Sequence, residues 1–116
     1  MSTREIVGRY FEELKARGNW ESFLSDDLQF TSFASPGKQV TGKAAYLEST
    51  KRFFSMIKSL EVRDLIIEGP KACALTRYQL QSPVGSFQSD VAEVFTVTDG
   101  KIGSLAIYFD TAPFPK

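Results

Sequence analysis

Apolar residues recur at three- and four-residue intervals early in the chain and at alternate positions through its second half, so helices should come first and strands last. Ile6, Val7, Tyr10, Phe11 and Leu14 form one helical stripe. Ser2 and Glu5 supply a capping box for it, because each side chain can bond the other's backbone N–H. This helix should stop near Gly18. Asn19 can cap one or two further turns over Trp20, Phe23 and Leu24, ending at Ser25-Asp26-Asp27. Residues 28–33 alternate as a short strand, Ser35-Pro36-Gly37-Lys38 is turn chemistry, and Gln39-Val40 can pair briefly.

Thr41 stands where it could cap a second helix. That helix carries Tyr46, Leu47, Phe53, Phe54 and Ile57 on one broad face, and Lys43, Glu48, Lys51 and Arg52 largely on the other. Strands follow over residues 60–68, 72–81 and a closing hairpin over 92–110, with turns at Gly69-Pro70-Lys71 and Pro83-Val84-Gly85. The hairpin turns on Asp99-Gly100, the pair suited to a type I′ turn, which needs positive φ at both central positions. Two early helices and four consecutive antiparallel strands predict one α+β domain over residues 1–116, with a sheet face covered by the helices. Phe114 should tuck the short tail against the body.

Composition narrows the chemistry. At 116 residues and 42% apolar content the chain can bury one good core. Fourteen basic residues balance fourteen acidic ones, so no net field recruits nucleic acid or a membrane surface. The single cysteine, Cys73, lies in an apolar run and reads as a small buried hydrophobe in a reducing compartment. No leader pattern and no spanning apolar run is visible, which predicts a cytoplasmic protein. The chain has no histidine, which excludes Ser-His-Asp and Cys-His nucleophile systems and nearly all zinc and non-haem iron sites. The expected site therefore holds no metal and no cofactor, and relies on carboxylate, tyrosine, arginine or lysine.

Four stretches fall in an order that resembles the SnoaL-like branch of the nuclear-transport-factor-2-like (NTF2-like) superfamily. They are Arg9-Tyr10-Phe11-Glu12-Glu13-Leu14, Asp26-Asp27-Leu28-Gln29-Phe30, Val40-Thr41-Gly42-Lys43-Ala44-Ala45, and Glu93-Val94-Phe95 through Thr98-Asp99-Gly100-Lys101-Ile102 to Tyr108-Phe109-Asp110. The resemblance implies a cystatin-like cone, a curved antiparallel sheet wrapped on N-terminal helices around a pocket. That superfamily hosts isomerases, cyclases, hydrolases, dehydratases and binding modules, so the fold alone does not fix the function. Beside its ketosteroid isomerases, Tyr10 stands at the oxyanion-hole tyrosine and Glu93 at the protonated aspartic acid, while their proton-abstracting aspartate falls at Ser32. Beside its limonene-type epoxide hydrolases, Arg77 stands at the triad arginine, and the two aspartates fall at Gln79 and Ile107. Both established carboxylate sets are thus incomplete.

If Phe30 and Ser32 face the helices, alternation makes Leu75-Arg77-Gln79, Val91-Glu93-Phe95 and Leu105-Ile107-Phe109 the other inward rows. The candidate site is then Glu93 as acid/base and Tyr10 as oxyanion donor, with Arg77 and Ser32 orienting a ligand. Gln79, Phe30, Phe95, Leu105 and Ile107 complete the lining. Two structural alternatives stay open: a buried Glu93–Arg77 ion pair, which weighs somewhat more on the residues alone, and Tyr10 as a core aromatic. Asp26, Asp27 and Asp110 read as turn and capping groups. Thr76, Tyr78, Leu80, Val94, Thr96, Ala106 and Tyr108 fall on the outward face, too apolar to be left wet, which predicts a homodimer through the sheet. The first functional expectation is a cofactor-independent isomerase- or cyclase-type enzyme acting on a small apolar carbonyl compound. The second is a non-catalytic ligand-binding or dimeric interaction module. A filled core with Glu93 on Arg77 would favour the module, and a pocket of several hundred cubic ångströms the enzyme.

Overall fold

The capping box forms as its residues dictate. Glu5 N–H donates to Ser2 Oγ at 3.1 Å, and Ser2 N–H donates to Glu5 Oε1 at 3.2 Å. It starts helix α1 (Thr3–Lys15), which buries Ile6, Val7, Tyr10, Phe11 and Leu14. A computed structural model describes residues 1–34 and 37–114; the expected turn at Ser35-Pro36 and the tail residues Pro115 and Lys116 lie outside them. Beyond α1, Trp20–Phe23 is a single 3₁₀ turn whose Asn19 makes no side-chain cap, and strand β1 (Leu24–Ser32) begins at once. Asp26 and Asp27 consequently sit in a strand rather than closing a helical turn.

Strand β2 (Lys38–Thr41) leads into helix α2 (Lys43–Met56) through Gly42, whose φ of 98° suits a residue without Cβ. The expected Thr41 cap is absent, because the Thr41 hydroxyl donates to Gln29 Oε1 at 3.1 Å instead. Ile57 opens strand β3 (Ile57–Glu68) rather than extending the helix face. Strands β4 (Lys71–Ser82), β5 (Gly85–Thr98) and β6 (Lys101–Phe109) follow. Asp99 and Gly100 take φ of 52° and 78°, the positive pair that the closing hairpin requires.

The six strands form one sheet in the order β2-β1-β6-β5-β4-β3. Every pairing is antiparallel except β1 with β6, which is parallel. The sheet is therefore mixed. No short turn joins β1 to β6, so nothing imposes the antiparallel direction there. Among the described residues no helix is long and apolar enough to cross a membrane.

The β4–β5 register decides which residues face the interior. Ala74 lies opposite Glu93, Thr76 opposite Val91 and Tyr78 opposite Ser89, and directly opposed residues share a face. Because Glu93 points inward, β4 buries Ala72, Ala74, Thr76, Tyr78 and Leu80. Leu75, Arg77 and Gln79 point outward, which reverses the inward row expected for this strand. Cys73 shares that outer face and is half-buried, not a core hydrophobe. The interior holds one cluster around Tyr10, Phe30, Tyr46, Phe95 and Leu105 and a second around Ile57, Tyr78, Leu80 and Val91. Phe114 packs against Phe87 and Phe109, with ring centroids 5.0 and 5.2 Å away, so the tail does fold back.

Candidate functional site

A cavity of about 180 Å³ lies on the seam between the two clusters. Its walls are Phe30 and Ser32 from β1, Tyr46, Phe53 and Phe54 from α2, Tyr78 from β4, Val91 and Glu93 from β5, and Leu105, Ile107 and Phe109 from β6. Lys38, opposite Ser32 on β2, joins Ser49 and Thr50 of α2 at its exposed end. A larger groove of about 400 Å³ runs between the end of α1 and β3, past Lys15, Arg17 and Lys58. It contains no carboxylate or tyrosine, whereas the smaller cavity holds Glu93, Tyr46 and Tyr78.

Glu93 is the chemical centre of that cavity. It sits mid-strand and is 5% exposed, opposite Ala74 on one side and Ile107 on the other. Tyr78 Oη donates to its Oε2 at 2.9 Å. Burial pushes its carboxyl up to about 7, the hydroxyls of Thr76 and Tyr78 offsetting only part of that rise. Thr76 acts from nearby, since its Oγ1 is buried without a hydrogen-bond partner among the described residues. Among the described residues Tyr78 alone bonds this carboxyl; Tyr46 lines the same cavity, and Tyr10 is buried in the core. All three phenols are raised above their ordinary value, first by burial and also by the Glu93 charge. They remain proton donors throughout the neutral range.

Arg77 is not part of this site. It forms a two-point pair with Asp90 on the outer face, Nε donating to Oδ1 at 2.8 Å and an Nη to Oδ2 at 3.2 Å. The alternative in which Glu93 is locked to Arg77 therefore falls, and Glu93 has no cationic partner among the described residues. Gln79 bonds Gln88 on the same outer face. Phe95 is buried in the core and Tyr10 packs edge-on to Phe11, Trp20 and Phe95, and neither lines the cavity. The expected lining residues that do meet there are Glu93, Ser32, Phe30, Leu105 and Ile107.

Tyr46 and Tyr78 line the cavity and were not among the residues expected there. Tyr46 was expected on the apolar face of α2 with no polar role, and Tyr78 on the outer face of the sheet. The signal for Tyr78 was present in β4 itself. Its even-numbered residues, Ala72, Ala74, Thr76, Tyr78 and Leu80, are the more apolar set, while Lys71, Arg77, Gln79 and Gln81 occupy the odd positions. No group of three or more His, Cys, Asp or Glu side chains suited to a metal ion occurs among the described residues.

Residues 7–104 match the family model of the SnoaL-like domain. An NTF2-like protein from Burkholderia thailandensis superimposes with a TM-score of 0.84 at 16% identity, covering 97% of this chain and 94% of the other. A candidate ketosteroid isomerase from Kribbella flavida gives a TM-score of 0.76 at 23% identity, over 98% and 82% of the two chains. A de novo designed protein from a set with diverse pocket structures gives 0.73 at 17%, over 91% and 96%. No curated protein sequence matches the chain.

Proposed function

The chain belongs to the SnoaL-like domain family, with the NTF2-like α+β fold, and on that premise we propose that it is a cofactor-independent acid/base enzyme for a small carbonyl compound. The observation that carries this reading is the Glu93–Tyr78 pair facing an otherwise apolar cavity. A carboxyl that titrates near 7 can both take and return a proton at neutral pH, and as it takes one the Tyr78 hydroxyl that had donated to it is released to donate to a developing enolate oxygen. Tyr78 and Tyr46 replace Tyr10 as the donors in this reading, because they line the cavity. Ser32 retains a place at the rim as an orienting hydroxyl.

Cavity size restricts the substrate. An engineered cavity of about 150 Å³ accommodates benzene, so 180 Å³ fits one ring or a short branched chain, and a fused polycyclic ligand does not fit without movement of the walls. Proton exchange at the α-carbon of small cyclic ketones, followed by NMR in deuterated buffer, tests the proposal. Glu93→Gln should slow exchange by about 100-fold or more, the ordinary worth of a general base. Exchange equal in both proteins would remove Glu93 from that role.

A second reading, a ligand-binding module without turnover, is favoured by the incomplete carboxylate sets at Ser32, Gln79 and Ile107 and by the cavity's small size. We also propose a homodimer through the outer sheet face, on a set that keeps Val94, Thr96, Ala106 and Tyr108 of the expected residues and loses those of β4. Thr76, Tyr78 and Leu80 are buried inside, whereas Leu75 and Tyr108 are exposed outside and Phe33 stacks flat on Tyr108 at 4.7 Å. A monomer in light scattering at micromolar concentration would refute it.

A further inference from the structure

The aromatic side chains around Glu93 form a continuous belt. Phe30 meets Tyr46 at 4.9 Å between ring centroids, Tyr46 meets Phe54 at 6.5 Å, Phe54 meets Phe53 at 5.7 Å, and Phe53 meets Tyr78 at 5.2 Å. Phe109 contributes a sixth ring to the same cavity. The belt surrounds one carboxyl, which is buried, lacks a cation among the described residues, and receives a single hydrogen bond there, on Oε2. Ring faces carry negative potential, and a carboxylate adds a full charge to it. Such a lining attracts a cation that is cheap to remove from water.

We propose that this cavity binds a small alkylated ammonium ion, with its charge against the Glu93 carboxylate and its methyl groups against the belt formed by Phe30, Tyr46, Phe54, Phe53 and Tyr78. Alkylation weakens hydration of the charge and supplies apolar surface for the rings, so a quaternary head suits the site better than a primary amine. The volume, slightly above that of a benzene-sized cavity, accepts a choline-sized guest. Binding of this kind does not depend on turnover. The ionised carboxyl that a base requires is also the form that pairs with a cationic guest.

The groups facing Glu93 are the phenols of Tyr10 on α1, Tyr46 on α2 and Tyr78 on β4, the hydroxyl of Thr76 on β4, and the apolar side chains of β1 and β6. The half-buried Cys73 thiol of β4 also feels its charge from the outer face, and stays protonated because burial raises it. Lys38, on β2 at the exposed end, is the one cation along the cavity wall among the described residues, and its exposure lets solvent screen its charge. Deprotonation of Glu93 should therefore govern binding between pH 5.5 and 8.5.

The test compares three probes of one shape: choline, its neutral carbon isostere 3,3-dimethylbutan-1-ol, and the anion 3,3-dimethylbutanoate. Each is titrated against the folded protein by NMR at pH 8.5 and 5.5. Choline should bind at pH 8.5 about tenfold or more tightly than the neutral isostere, and lose that advantage at pH 5.5 and in Glu93→Gln. Phe53→Leu, which keeps the cavity apolar, should weaken choline several-fold more than it weakens the isostere. Equal or tighter binding of the isostere or of the anion, or no choline-dependent shifts at pH 8.5, overturns the proposal.

Discussion

Asp90 and Glu93 are carboxylates three residues apart on the same strand, and they face opposite ways. Asp90 is exposed and clasped by Arg77, whose hydrogen bond holds its carboxyl below the usual carboxylate range. Glu93 is buried among phenols and rings with no cation among the described residues, and its carboxyl rises to about 7. The odd spacing puts the two on different faces of the sheet, and the face sets the chemistry. A charge that water and arginine already satisfy has no proton left to trade near neutrality. A charge that folding has stranded has one.

The largest effect expected from this contrast is on stability. Folding raises the Glu93 pKa above its unfolded value of about 4.5, so the native state holds the proton more tightly between about pH 4.5 and 7. Unfolding free energy must then fall as pH rises through that window, by about 3 kcal/mol in all, with nothing further lost above it. Glu93→Gln should abolish that fall, as measured by urea denaturation at pH 4.5, 6 and 8. An unchanged slope would mean that Glu93 is not stranded.

A middle-sized effect is expected at Tyr78. Removing its hydroxyl in Tyr78→Phe takes away a hydrogen bond to the ionised carboxyl, worth about 1.5–3 kcal/mol for a charged partner, so the loss should be larger at pH 8 than at pH 4.5. A pH-independent loss would point to packing alone. The smallest effect is expected on the outer face. Arg77→Ala should leave both the pH dependence of stability and the Glu93 titration unchanged, because exposed ion pairs contribute little. A downward or upward move of the Glu93 midpoint in Arg77→Ala would blur the separation between the two faces.

Much of the scaffold could be read from the residues, because each signal was local. Ser2 and Glu5 fix the start of α1, and Asp99-Gly100 fixes the closing turn. Those features depend on neighbours in the chain. The β1–β6 pairing does not, which is why its parallel direction could not be read from strand patterns. The inner rows of β5 and β6 were legible for the same local reason, with Glu93 between Val91 and Phe95. In β4 the expectation carried the parity of Phe30 and Ser32 across to Leu75, Arg77 and Gln79, although the strand's own alternation places its small and apolar residues on the even side. A register shift of one residue exchanges the two faces completely, so this single choice removed Tyr78 from the site and placed Arg77 in it. Tyr46 could not be assigned from α2, since a tyrosine on an apolar helical face looks the same whether its hydroxyl meets core or cavity.

The most direct test is the titration of the Glu93 side chain itself, followed through its carboxyl-carbon chemical shift from pH 3 to pH 9 and assigned by comparison with Glu93→Gln. A midpoint near 7, unmoved by Arg77→Ala and raised by Tyr78→Phe, is the result expected of a stranded acid facing the cavity. A midpoint at or below the ordinary value of 4.5 would contradict it.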